Sequence, residues 1–127
     1  MNVQEEYRDT SFSTQSQGQL VVMLYDGAIR FLKIAREKLE EKDYAGKGIY
    51  IGKAQDILSE LNNSLDMETG GELSKNLRAL YNFLYRHLNE ANMERDTEKL
   101  EDCIGILQEL QGAWEQVADR QKTSEPH

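Results

Sequence analysis

The stretch from Leu20 to Leu39, LVVMLYDGAIRFLKIAREKL, constrains the fold more than any other. Set on a helix at about 100° per residue, Asp26, Arg30, Lys33 and Glu37 fall on one narrow stripe. Leu20, Leu24, Ala28, Phe31, Ala35 and Leu39 lie opposite and form the expected core face, with Val21, Tyr25 and Leu32 beside them. Met23, Gly27 and Ile34 flank the charged stripe on one side, Val22 and Ile29 on the other. A helix that packs on one layer of neighbours needs an apolar stripe only a little over ~100° wide. This one has more, so apolar surface is expected outside the core.

Three further segments keep the same period. Ser16 followed by Gln19 reads as a capping box that starts the first helix, which runs to about Glu41. Asp43 is the expected N-cap of a second helix with the stripe Tyr50, Ile51, Ala54, Ile57, Leu58, Leu61 and Leu65, ending near Met67 before Gly70-Gly71. Gly46, Gly48 and Gly52 within it imply either a frayed start or a surface that a neighbour approaches closely. The third helix places Leu73, Leu77, Leu80, Tyr81, Leu84, Leu88 and Ala91 on its core face, with Phe83 and Tyr85 on the two flanks. Asp96 or Thr97 caps the fourth, whose stripe is Leu100, Cys103, Ile104, Leu107, Leu110, Trp114 and Val117, with Ile106 and Ala113 to one side. No alternating period-two run competes with this pattern. The expected fold is all-α, an antiparallel up-and-down four-helix bundle over residues 16–121, with a polar tail at 122–127. Residues 1–15 read as a mobile N-terminal segment whose only aromatic anchors are Tyr7 and Phe12.

Charge and cysteine usage narrow the function. With 23 acidic against 15 basic side chains, the net charge of -8 opposes a phosphate backbone, and nucleic acid is not an expected partner. One cysteine, Cys103, has nothing to pair with in the chain, which fits a reducing compartment. There is no signal-peptide pattern and no uncharged stretch of the ~18 residues a membrane span needs, so a soluble cytoplasmic protein is expected.

Catalytic constellations fail on inspection. A di-iron bundle needs Glu-x-x-His on two helices, but Leu84 stands three before His87 and Ser124 three before His127. Gly46, Gly48 and Gly52 have the wrong spacing for a dinucleotide fingerprint, and no strand precedes them. A histidine phosphotransfer bundle would have to use His87, yet the following LNEAN lacks the lysine and glycine of such motifs. Cys103 has no basic neighbour to activate it. Neither an enzyme, nor a cofactor, nor a bound metal is expected.

MLYDGAIRFL and NLRALYNFLYRHLNEAN are the most specific parts of a stretch, about residues 7 to 117, that resembles the flagellar export chaperones for flagellin. Members of that family often carry two tyrosines near the N-terminus, where this chain matches only Tyr7, and a proline opening the first helix, where it has Gln17. The resemblance implies a non-enzymatic chaperone of the bacterial cytosol. It would bind the disordered C-terminal helices of flagellin, prevent premature polymerisation and help deliver the client to the type III export apparatus. Tyr7 would fold back over the client groove. A helical adaptor for a regulatory protein is the alternative, and a monomer or weak homodimer is expected. Helix-in-groove binding needs exposed apolar side chains. The surplus positions Met23, Ile34, Ile49, Phe83, Tyr85 and Ile106 are the candidate groove lining, with Tyr7 and Phe12 as its cap. Helical angles alone leave open which seam between helices forms the groove.

Overall fold

A computed structural model of the chain describes residues 14–124. It contains four helices, α1 (Thr14–Glu40), α2 (Tyr44–Asn63), α3 (Gly71–Glu94) and α4 (Thr97–Ser124). Each turn has an identifiable cause. After α1, Asp43 N–H donates to the Lys38 carbonyl at 2.8 Å and Lys42 N–H to that of Leu39 at 3.0 Å, with Lys42 in the left-handed region at φ 64. This is a Schellman closure with lysine where glycine is usual. The Asp43 carboxylate then accepts from Gly46 N–H at 3.0 Å and opens α2. Gly46 therefore serves the cap, and α2 starts without fraying.

Two boundaries differ from the sequence expectation. Helix α1 begins at Thr14, which puts Ser16 inside the helix and not at its cap, since one more turn on an established helix costs little. Helix α2 ends at Asn63, short of Met67, because Asp66 captures the backbone N–H groups of Glu68 and Thr69 at 3.1 and 3.0 Å and bends the chain. Gly70 completes that bend, where a Cβ would lie 2.4 Å from the Asp66 carbonyl oxygen and 2.7 Å from Ser74 Cβ. At the last turn, Asp96 caps α4 by accepting from Glu98 N–H at 3.0 Å.

The helices run alternately up and down, so that α1 and α3 each pack on α2 and α4 and face one another across the diagonal. Ala28, Leu32, Ala35, Ile51, Ala54, Leu58, Leu84, Leu88, Leu100 and Leu107 fill the centre. On the diagonal the Tyr25 and Tyr81 hydroxyls hydrogen-bond each other, and the Trp114 indole N–H donates to the Tyr25 hydroxyl at 3.1 Å. Burial raises the pKa of both phenols and pushes the Cys103 thiol up to about 12. The unfolded chain therefore releases these protons at lower pH than the folded one, and their contribution to stability, complete below pH 9, is lost as the pH rises towards 12. Each group contributes a slope of about 1.4 kcal/mol per pH unit. Urea midpoints are expected to fall between pH 9 and 10, and Cys103→Ala should flatten the first part of that fall.

Candidate functional site

Burial is uneven along the bundle. Leu20, Leu24, Leu65 and Trp114 are only half-buried, and Leu73, which the spacing puts in the core, is 62% exposed. Val117, likewise read as core, is at 36%. All of these lie at the end where α1 and α3 begin and α2 and α4 finish. Stripe residues at a helix end lack facing neighbours on both sides, which the angular pattern does not register.

The seams differ in chemistry. Between α2 and α3 a row of polar bonds closes the gap: Gln55 donates to Asn89 at 2.7 Å, Asn62 to Asn82 at 2.8 Å, and Arg78 to Asn62 at 3.2 Å. At its far end the buried Lys47 ammonium donates to the Asn92 carbonyl at 2.7 Å, a partner for the C-terminus of α3 that the spacing did not reveal. Tyr85 shares the stripe of Arg78 and Asn89 and so stands on this flank, 40% exposed.

Between α3 and α4 the side-chain bonds of the described residues gather at one end. There His87 Nε2 lies 3.3 Å from Asp102 Oδ2, and Lys99 Nζ bonds Glu90 at 3.0 Å and Glu94 at 2.6 Å. One turn before His87 stands Phe83, and one turn after Asp102 stands Ile106. Because the helices are antiparallel, these two share a level. Below them the seam is apolar, with Leu80 and Leu110 partly buried against the core and Leu73 and Val117 exposed. Phe83 is 41% exposed, while Ile106 packs on the core and forms floor more than wall. This pair of helices has the least extensive packing of the four neighbouring pairs.

A second apolar tract runs along α1 and α2. Gly27 approaches Ile57, Phe31 packs on Tyr50 with ring centroids 6.0 Å apart, and Lys38 meets Asp43. Ile34 shares that stripe, half-buried, and Met23 stands one turn before Gly27, 66% exposed. Across the seam Ile49, 59% exposed, lies one turn from Lys53, whose ammonium sits over the Phe31 ring. Gly52 borders it with open space where a Cβ would be. Thus Met23, Ile34 and Ile49 edge one tract, Phe83 and Ile106 belong to the other, and Tyr85 joins neither. Tyr7 and Phe12 lie outside the described residues.

The sequence pattern of the flagellar protein FliS family matches residues 1–121. The chain belongs to that family. Among its relatives, the flagellar secretion chaperone FliS of Bacillus subtilis (strain 168) is 34% identical over 116 residues, covering 91% of this chain and 86% of the relative. That of Vibrio cholerae serotype O1 is 37% identical over 109 residues, covering 86% and 80%, and that of Salmonella typhimurium is 36% identical over 113 residues, covering 88% and 84%.

The described residues of this FliS-family chain leave apolar side chains exposed along two of the seams between helices. No three His, Cys, Asp or Glu side chains among the described residues are placed to hold a metal ion, and no described helix is long and apolar enough to cross a membrane. The His87 side chain is 16% exposed and stacked on Phe83, wedged between carboxylates that would repel a phosphoryl donor.

Proposed function

We propose that this chain is a cytosolic chaperone for flagellar export, without enzymatic activity, that binds the disordered C-terminal region of flagellin, prevents its premature polymerisation and helps deliver it to the type III export apparatus. The observation that carries this reading is the apolar opening between α3 and α4, where Leu73, Phe83 and Val117 stay exposed beside the partly buried Leu80 and Leu110. An amphipathic client helix laid along that seam buries them, and each well-covered anchor contributes on the order of 1.5–3 kcal/mol before ordering entropy is subtracted. A second client helix covers Met23, Ile34 and Ile49 on the α1–α2 tract. Methionine at the edge lets the surface repack around side chains of different shape.

Helix α1 begins at the same end of the bundle as Leu73 and Val117. In the client-free protein Tyr7 and Phe12 act as the cap of the opening, which shields its apolar side chains from self-association.

A pull-down with full-length flagellin and with flagellin lacking its C-terminal helices tests the reading. Retention of the first and loss of the second is expected. Equal retention of both moves the contact elsewhere, and retention of neither favours the adaptor function. Deleting residues 1–15 should tighten flagellin binding or increase self-association. Unchanged affinity together with an unchanged monomer mass removes the cap from the account.

A further inference from the structure

We propose that the seam between α3 and α4 selects its client helix by charge as well as by apolarity. The helix it takes carries lysine or arginine side chains about two turns apart, along the flank that meets Asp102 and Glu109 of α4. The proposal rests on the reading of this seam as the client site, and adds which client helix the seam takes and how that helix is turned.

The two banks of the seam differ in charge. On α3 each carboxylate near the seam has a cation: Glu72 lies 3.7 Å from Lys75, and Glu90 and Glu94 accept from Lys99 at 3.0 and 2.6 Å, with Arg86 also acting on Glu90. Lys99 belongs to α4 and is drawn across to α3, away from the carboxylates of its own helix. Asp102 and Glu109, both exposed, are seven residues apart, hence within about 20° of each other around α4 and about 10 Å apart along it. They stand on the solvent side of Ile106, Ala113 and Val117, the α4 row that edges the opening. Asp102 meets His87 at 3.3 Å. The residues one turn either side of Glu109 are Gly105, Ile106, Gly112 and Ala113, so its own helix offers it no cation. A Cβ at Gly105 or Gly112 would have nothing within 4 Å, which leaves the flank of α4 open to a long side chain from outside.

A client helix laid on the seam displaces water from one side of Asp102 and Glu109, and a carboxylate that loses hydration without gaining a cation opposes binding. A lysine or arginine on the α4 flank of that helix lays its apolar stem along Ile106 and Ala113 and brings its head to the carboxylates. An acidic flank at the same place meets like charge and is rejected. The α1–α2 tract imposes no such choice, because its charges already have partners: Arg30 lies 3.3 Å from Asp26, Lys38 lies 3.9 Å from Asp43, and Lys53 sits over the Phe31 ring. The two tracts therefore sort the helices of one client by charge.

The test is affinity for full-length flagellin at low and high salt, about 0.05 M and about 0.5 M, where exposed charges are weakly and strongly screened. Asp102→Asn combined with Glu109→Gln should weaken binding roughly three- to tenfold at low salt, the scale of two partly exposed ion pairs, and should remove most of the native salt dependence. Glu109→Lys should weaken it more than Glu109→Gln. Glu40→Gln combined with Glu41→Gln removes the same charge from exposed positions at the other end of the bundle and should leave affinity and salt dependence close to native. Native affinity and native salt dependence in the Asp102/Glu109 variant overturn the proposal, and so does an equal loss in the Glu40/Glu41 variant, which would reduce the effect to net charge. Leu73→Asp combined with Phe83→Asp separates this from the reading beneath it. If that variant loses flagellin while the Asp102/Glu109 variant behaves as native, the seam remains the client site and charge selection falls. If it binds as native, the client site lies elsewhere and both fall.

Discussion

Tyr25→Phe is expected to destabilise the bundle by about 2–4 kcal/mol, more than Tyr81→Phe at about 1–2 kcal/mol, although each removes one oxygen. Tyr25 stands in the middle of a chain of three. Its hydroxyl serves both the Tyr81 hydroxyl and the Trp114 N–H, so its loss leaves two polar groups without partners. Loss of the Tyr81 hydroxyl leaves Tyr25 still bonded to Trp114. Tyr25 is fully buried and Tyr81 nearly so, which puts compensating water out of reach, whereas Trp114 is half-buried and recovers part of its loss. The double variant should cost less than the sum of the single ones, because an apolar pair satisfies itself where a lone hydroxyl cannot. Urea denaturation of all three variants checks this. A double variant that costs the full sum of the single ones would show that the hydroxyl chain contributes no coupling across the diagonal.

That diagonal was not legible in the sequence, although the bundle was. Period, caps and glycine breaks act within one helix, and they located all four elements to within a few residues. Asp43 reads as an N-cap from its place alone, and the structure has it accept from Gly46 N–H. What one helix cannot report is the level at which another stops beside it. Leu73 and Val117 have the angular position of core residues and fail to be buried because α3 has just begun and α4 is close to its end. Ile106 shows the reverse: it reads as surplus, yet it is partly buried and packs on the core. Tyr85 and Phe83 are indistinguishable as two flanks of one helix. The amide row with α2 and the apolar gap with α4 separate them, and both depend on pairings between residues tens of positions apart. The choice of seam therefore lies in tertiary register, while the presence of surplus apolar surface lies in sequence.

Leu73→Asp combined with Phe83→Asp should reduce flagellin affinity on the order of a hundredfold or more while leaving the helical circular dichroism unchanged. Both side chains are largely solvent-exposed in the free protein, at 62% and 41%, so a carboxylate at either position loses little of its hydration when the chain folds. Once a client helix covers the seam the same carboxylates are taken out of water without a cation to meet them. Two anchors of about 1.5–3 kcal/mol are lost at once, and each tenfold in affinity corresponds to about 1.4 kcal/mol. Ile49→Asp on the α1–α2 tract removes a single edge contact and should cost roughly tenfold. Tyr85→Asp lies beside the polar α2–α3 row and should change affinity less than either. The order of the three effects, measured by calorimetric titration, discriminates between seams as no single variant can. A larger loss at Tyr85 than at Phe83 would transfer the client to the α2 side of α3, and a matched loss of helicity in the double variant would return Phe83 to the hydrophobic core.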